Sequence, residues 1–208
     1  MVAGRRKKKE TSWSDAYCTP LWLANKLPLV DVDPCSNDLS LIHTLWRYGL
    51  DKLLDGLRLP WRGKAFVNWP YSTPMPWALK AIEEMMLGHC TDLIVLCKLD
   101  PSTEWWSVIT TEVLGPIDRW DFNDRVQFDE PPEAILERKR KREEAIARGD
   151  EKIPPLKVSN NFASVILHHR RPDAPMLNLW DVATLWRRVP QQGLMGLSSL
   201  ANWRAASA

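Results

Sequence analysis

The sequence lacks long apolar runs, cysteine pairs and a marked charge of either sign. Its longest uncharged apolar runs, such as 93–97 and 163–167, fall far short of the ~18 residues that a membrane-spanning helix needs, so no membrane association is predicted. Its four cysteines form no CxxC pair, which argues against a zinc ribbon or a thioredoxin-like motif and suits a reducing compartment. The formal charge of +2 is too small to identify a nucleic-acid-binding protein by itself.

The amino-terminal segment lacks the apolar stretch of a signal peptide. A basic cluster at residues 5–9 is followed by polar residues, which predicts a cytoplasmic protein. Residues 1–12 are expected to form a disordered basic arm, either a solubilising tail or a contact to phosphates. The histidines and cysteines show no ligand spacing, so no metal site is predicted.

What the sequence does contain is the composition of an ordinary globular protein. The chain has 208 residues, of which 45% are hydrophobic and 26% charged. We expect one α/β domain at residues 13–175, interrupted by a charged helical insertion at 131–157 and followed by a C-terminal helical extension at 176–208.

Short apolar runs alternate with helical stretches, a pattern typical of βαβ units around a parallel sheet. Strands are predicted at residues 29–33, 65–68 and 93–97, and helices at 76–87, 100–115 and 178–188. Two later strands, 125–128 and 162–167, flank the charged insertion, so they are expected to form an antiparallel hairpin.

The insertion holds a helix, predicted at 133–148, with too few apolar residues for a continuous buried face. Its basic run consists of Arg138, Lys139, Arg140, Lys141 and Arg142. A solvated helix face is the common explanation of such a run, and a contact to a nucleic-acid backbone is the alternative.

The tetrapeptide Asn68-Trp69-Pro70-Tyr71 carries the clearest chemical signal. It directly follows a predicted strand and precedes a helix, at the carboxyl end of the sheet, where open α/β sheets place their ligands. The asparagine amide and a backbone carbonyl can accept hydrogen bonds from an amine, and the tyrosine ring can stack. These groups describe a pocket for a planar base that bears an amino group.

The tetrapeptide resembles the (Asp/Asn/Ser)-Pro-Pro-(Tyr/Phe/Trp) signature of amino-group DNA methyltransferases, and its surroundings resemble the phage Dam-type N6-adenine methyltransferases. Supporting segments are Thr19-Pro20-Leu21-Trp22, Val32-Asp33-Pro34-Cys35-Ser36, Asp55-Gly56-Leu57, 99–106 and 124–128. The resemblance covers residues 13–170, the charged insertion aside.

This resemblance implies a Rossmann-like class I methyltransferase fold, with a mixed, mostly parallel sheet whose last strand is antiparallel. It also implies a site-specific enzyme that transfers a methyl group from S-adenosylmethionine (AdoMet) to the N6 amino group of adenine in DNA. Asn68 and the backbone carbonyl of Trp69 would accept hydrogen bonds from the amine, with Pro70 shaping the turn. Tyr71 would stack on a base that has left the duplex.

The resemblance also implies which residues hold the two substrates. AdoMet would be bound by Thr19, Pro20, Asp33, Pro34, Cys35 and, as a second carboxylate contact, Asp55. The residues predicted to bind DNA are Arg125 and, on the basis of its charge and not of the resemblance, the basic run of the insertion. The chain departs from the pattern at Trp69, which replaces the first proline, and it has no glycine-rich loop after Asp33.

Two alternatives stay open. A cytosine-N4 methyltransferase would use the same mechanism, although those enzymes more often carry serine at the position of Asn68. A DNA-binding protein that kept the fold and lost catalysis would explain Trp69 and the charged insertion. The sequence leaves open the recognised DNA site, the strand preference and the oligomeric state.

Overall fold

The structure is a computed structural model that describes residues 13–49, 54–112, 115–155, 162–170 and 186–188. Within these residues, seven strands form one sheet. In chain order they are β1 Val30–Asp33, β2 Thr44–Arg47, β3 Gly63–Val67, β4 Cys90–Lys98, β5 Ile117–Phe122, β6 Ser164–Arg170 and β7 Trp186–Arg188. The helices are α1 Leu21–Ala24, α2 Pro74–Met86, α3 Glu104–Ile109 and α4 Pro132–Arg148, and a 3-10 turn spans Trp13–Ala16.

The sheet is mixed and mostly parallel, with the strand order β2-β1-β3-β4-β6-β5-β7. Strand β1 is parallel to β2 and β3, and β3 is parallel to β4. Strand β6 lies between β4 and β5 and is antiparallel to both, and β7 is antiparallel to β5. Strands β1 to β5 therefore run in one direction, and the loops that follow them meet at one edge of the sheet.

Apolar side chains cover both faces of the central strands. Ala65 and Val67 pack in the cluster that contains α2 and α3, whereas Phe66 packs on the opposite side with α1. Residues 93–97 of β4 are fully buried, as expected for a strand covered on both faces. This close packing gives the loops at the carboxyl edge a rigid support.

Most of the predicted elements are confirmed. The runs at 29–33, 65–68, 93–97 and 162–167 correspond to β1, β3, β4 and β6, and the stripe at 76–87 corresponds to α2. The helix predicted at 100–115 is shorter, because α3 ends at Ile109.

The prediction of a strand at residues 125–128 is wrong. The strand that pairs antiparallel with β6 is β5, which lies upstream, and 125–128 form a loop. Strand β5 has a polar sequence because two of its side chains are buried aspartates with cationic partners. Asp118 accepts a hydrogen bond from Arg170 at 2.9 Å, and Asp121 is paired with Arg119 at 2.7 Å. Because these charged residues interrupt the apolar pattern, β5 is not predicted from runs of apolar residues.

The prediction of a C-terminal helix at 178–188 is wrong for its last turn. Residues 186–188 form strand β7, which pairs with β5 from Phe122 to Trp120. The rest of that helix, like the basic arm at 1–12, lies outside the described residues. The domain bounds at 13–175 and 176–208 stay predictions.

The charged insertion contains the predicted helix, α4. Ala134 and Ala145 are the buried residues of the helix. The helix ends at Arg148 and is capped by Gly149, which has a positive φ of 71°. Neither α4 nor any other helix in the described part of the chain is long and apolar enough to cross a membrane.

Candidate active site

The candidate site lies at the carboxyl edge of the sheet, where β1 and β3 end side by side. These strands are parallel neighbours, with Val32 opposite Ala65. Asp33 is the last residue of β1 and Asn68 directly follows β3. The sheet therefore brings together the two motifs that the sequence places at the site.

The Asn68 side chain contacts a residue far away in the sequence. Its amide nitrogen donates a hydrogen bond to the hydroxyl oxygen of Thr19 at 3.2 Å, and Thr19 is 4% exposed. Since an amide nitrogen can only donate, this bond leaves the amide oxygen of Asn68 as the group that can accept from a ligand.

Residues 15–19, which we call the N-terminal strap, are tied to three of the loops at this edge. Asp15 accepts hydrogen bonds from both the backbone and the hydroxyl of Ser72, at 3.2 and 2.7 Å. Cys18 forms an antiparallel bridge with Asp129, with N···O distances of 2.9 and 3.0 Å, and its thiol donates to Asn37 at 3.2 Å. The strap is thus held by the loops that follow β1, β3 and β5.

Trp69 turns its side chain into the core. The indole is 2% exposed and packs edge-on against Trp105, with ring centroids 5.8 Å apart. Trp69 also precedes Pro70, which restricts it to extended backbone conformations. The large side chain is therefore part of the core and does not occupy the candidate site.

The Tyr71 ring packs edge-on against two other rings, those of Phe128 at 5.9 Å and Phe162 at 5.2 Å between centroids. Burial raises the pKa of the phenol well above its usual range, and Cys97 adds to this shift. Tyr71 is therefore a neutral aromatic side chain held in a fixed orientation.

Asp33 is a buried carboxylate with hydrogen bonds on both oxygens. One oxygen accepts from the backbone N–H of Cys35 at 3.1 Å, and the other from the hydroxyl of Ser40 at 3.1 Å. Desolvation raises its pKa to about 6, although these hydrogen bonds lower it in part. A buried carboxylate in this state gains from a further hydrogen-bond donor.

Of the other predicted cofactor residues, Pro34 and Cys35 directly follow Asp33 in the chain. Gly56, which follows Asp55, lies so close to Pro34 that an added Cβ would be 2.0 Å from the Pro34 carbonyl oxygen. The Asp55 carboxylate instead caps its own turn, accepting from the backbone of Leu57 at 2.9 Å and pairing with Arg58 at 3.3 Å. Burial and the charge of Asp33 raise the pKa of the Cys35 thiol, which makes it unreactive as a nucleophile.

The predicted DNA-binding residues of α4 divide into two groups. Arg138 is paired with Glu130 and also donates to the hydroxyl of Tyr17, and Arg142 donates to the carbonyl of Pro154 at 2.7 Å. Lys139, Arg140 and Lys141 lie on the exposed surface, the last two within reach of glutamates along the helix. Arg125 is exposed on the loop after β5.

Sequence reasoning missed the aromatic partners of Tyr71 and the hydroxyl partner of Asp33. Phe128 and Phe162 belong to segments predicted as strands, and Ser40 carries no motif. The two phenylalanines reach the site through the order of strands in the sheet, for which the sequence contains no local signal, whereas Ser40 lies in the loop that directly follows β1. Among the described residues, no group of three or more His, Cys, Asp or Glu side chains could hold a metal ion.

Comparison with known proteins defines the family. Residues 50–153, half of the chain, match the family described as DNA N-6-adenine-methyltransferase (Dam), and the chain belongs to it. It is 26% identical over 114 residues to a DNA N-6-adenine-methyltransferase of Haemophilus phage HP1 (strain HP1c1), a match that covers 52% of this chain and 62% of that protein. No solved structure matches the chain.

Proposed function

We propose that this protein is an AdoMet-dependent DNA methyltransferase that acts on the N6 amino group of adenine. The observation that carries the proposal is the placement of Asn68-Trp69-Pro70-Tyr71 directly after β3, beside the end of β1 that bears Asp33. Membership of the Dam family supports the choice of reaction and of DNA as the substrate. Both substrates occur in the cytoplasm, which is where we place the reaction.

The proposed fold is the Rossmann-like class I type. The parallel strands β1 to β4 and the antiparallel strand β6, inserted between β4 and β5, support this assignment. In open sheets of this kind, ligands bind outside the carboxyl ends of the strands, which is where the candidate site lies.

The residues around Asp33 fit AdoMet. The buried carboxylate has a pKa raised to about 6, and it keeps lone pairs for a hydroxyl or amino donor beyond the two hydrogen bonds it already accepts. When bound, AdoMet would supply an electrophilic methyl group: its S–CH3 bond breaks as the adenine nitrogen forms the new N–C bond, S-adenosylhomocysteine is left, and the amine loses one proton to water. In our proposal Asp33, Pro34 and Cys35 line its pocket, with Thr19, Pro20 and Asp55 at the margin.

The chain's contribution to catalysis is to position the amine. The adenine N6 lone pair is conjugated with the ring, so it is a poor nucleophile. Hydrogen bonds from the amine to the Asn68 amide oxygen and the Trp69 carbonyl favour a pyramidal nitrogen whose lone pair points at the methyl group. Positioning of two reactants can lower a barrier by ~7–11 kcal/mol, so a site without a general base is sufficient.

The remaining roles concern DNA. Stacking on Tyr71 would return ~1–3 kcal/mol of the energy spent in removing the base from the duplex. Arg125 and the exposed cations Lys139, Arg140 and Lys141 are proposed to contact phosphates. Arg138 and Arg142 are bound to other protein groups, so we assign them to holding α4 in place.

The proposal is tested by incubating the protein with AdoMet and unmethylated DNA, digesting the DNA to nucleosides and searching for methylated bases by mass spectrometry. We expect N6-methyladenine from the wild type and none from Asn68→Ala, with AdoMet affinity nearly unchanged. Asn25→Ala, at the end of α1, is a matched control that should keep full activity.

Other results would change the assignment. N4-methylcytosine would keep the mechanism and change the base. No methylated nucleoside together with no AdoMet binding, but with salt-sensitive DNA binding, would show a non-catalytic DNA-binding protein. Equal activity of Asn68→Ala and the wild type would refute the site.

A further inference from the structure

We propose that Thr19 is a positioning residue that sets the direction of the Asn68 amide. Its hydroxyl takes the donor end of the amide, so that the acceptor end faces the amine of the base. This inference rests on the proposed function, and it gives Thr19, at the margin of the proposed AdoMet pocket, a second role that is distinct from contact with the cofactor.

The need for such a residue follows from the chemistry of asparagine. Its amide has one end that accepts hydrogen bonds and one that donates them, and a half-turn about the last side-chain bond exchanges the two. An exocyclic amine presents N–H groups, so the donor end of Asn68 would repel it. Only one of the two orientations is therefore productive.

The structure shows the productive orientation. The Asn68 amide nitrogen lies 3.2 Å from the Thr19 hydroxyl oxygen and donates to it. Thr19 is 4% exposed, so water has little access to this contact, and a half-turned amide would require the hydroxyl to turn and donate instead of accept.

The hydroxyl itself is fixed in space by the N-terminal strap. The Cys18–Asp129 bridge precedes Thr19 with two backbone hydrogen bonds, at 2.9 and 3.0 Å. Pro20 follows Thr19 and confines its backbone to extended conformations. Asp15 holds the other end of the strap on Ser72. The position of Thr19 is thus set independently of Asn68.

The role is specific to an asparagine. A carboxylate accepts with both oxygens, so aspartate at position 68 would have no unproductive orientation to avoid. The hydroxyl of Thr19 should therefore matter with Asn68 and matter little with aspartate in its place. A simple packing role would be the same in both backgrounds.

The experiment measures kcat and KM for methyl transfer in wild type, Thr19→Val and Thr19→Ser. We expect kcat to fall about tenfold in Thr19→Val, as for loss of one hydrogen bond, with KM for AdoMet changed by less than about twofold. Thr19→Ser keeps the hydroxyl and should restore kcat. Thr111→Val is the matched control, because Thr111 is also buried (3% exposed) and lies outside the site.

The double variant separates orientation from packing. In the Asn68→Asp background, Thr19→Val should lower kcat by less than about twofold. An equal loss in both backgrounds, or a kcat for Thr19→Val equal to that of the wild type, would overturn the inference. If Asn68→Asp is inactive, failure of Thr19→Ser to restore kcat overturns it.

Two further outcomes are distinguishable. A raised KM for AdoMet with an unchanged kcat would make Thr19 a cofactor contact and refute the orienting role. Absence of methyl transfer by the wild type itself would refute the proposed function and not only the role of Thr19.

Discussion

At the scale of single residues, Trp69 shows how a large side chain can replace proline in the signature while the backbone carbonyl needed in our proposal is kept. The signature that the tetrapeptide resembles has proline here, and proline would fix φ by its ring. In this chain, Pro70 and the edge-on contact between Trp69 and Trp105 restrain the same peptide from both sides. The indole is thus part of the core, and in our proposal the carbonyl still faces the site.

Trp69→Pro would give the tetrapeptide the proline of the signature, but we expect it to lower the stability of the folded protein. Because the indole is 2% exposed, its loss leaves a cavity beside Trp105, and we expect the free energy of unfolding to fall by about 3 kcal/mol. Urea unfolding measures this change. Trp46→Ala, at a side chain that is 63% exposed, should cost less than about 1 kcal/mol. A Trp69→Pro variant as stable as the wild type would contradict the packing role.

Burial of the Asp33 carboxylate lowers the stability of the folded protein at neutral pH. Its folded pKa of about 6 lies above the ordinary value of 3.8 because burial disfavours the charge. The protonated form is thus stabilised in the folded protein, so the contribution of Asp33 to stability is fully present below pH 3.8. It is lost as the pH rises through 6.

Asp33→Asn should therefore make the protein more stable at pH 7.5, by about 2–3 kcal/mol, and should have little effect below pH 3.8. It should also weaken AdoMet binding, because the carboxylate is lost. Unfolding by urea at several pH values and calorimetric titration with AdoMet test both parts. Asp38→Asn, on the exposed surface of the same loop, is the control. Lower stability of Asp33→Asn at pH 7.5 would show that the burial cost is not the dominant effect.

At the scale of elements, α4 uses its basic residues in two ways. Arg138 lies against Glu130 and Tyr17, and its pKa is raised chiefly by the hydrogen bond to Glu130. Lys139, by contrast, is exposed. One run of charge, uniform in the sequence, thus provides both an anchor and a solvent-facing surface.

Replacing Lys139, Arg140 and Lys141 by glutamine should weaken the salt dependence of DNA binding. The slope of log K against log salt falls by about 0.9 for each phosphate that the protein no longer neutralises. Fluorescence anisotropy across a salt series measures the slope, with the stability of the variant unchanged. Arg138→Gln is the comparison, since it should lower stability by leaving Glu130 unpaired. An unchanged slope for the triple variant would mean that α4 does not contact phosphates.

At the scale of the whole molecule, the parts predictable from sequence are those with a local signal. β3 and β4 contain short apolar runs, β1 alternates valine with aspartate, and the tetrapeptide directly follows β3. β5 has no such signal because its buried aspartates are neutralised by arginines, one of them on β6. The Thr19–Asn68 contact joins residues 49 positions apart, so only the assembled sheet brings it about.

The position of β6 in the sheet also has a consequence for folding during synthesis on the ribosome. β6 pairs with β4 from Lys98 to Asp92, yet it is synthesised after β5 and α4. Until β6 emerges from the ribosome, the edge of β4 that pairs with β6 in the folded protein is unpaired. Unpaired strand edges favour association with other chains. The long polar helix α4 between β5 and β6 adds charged residues to the unfinished chain during that delay, and such charge opposes association with other chains.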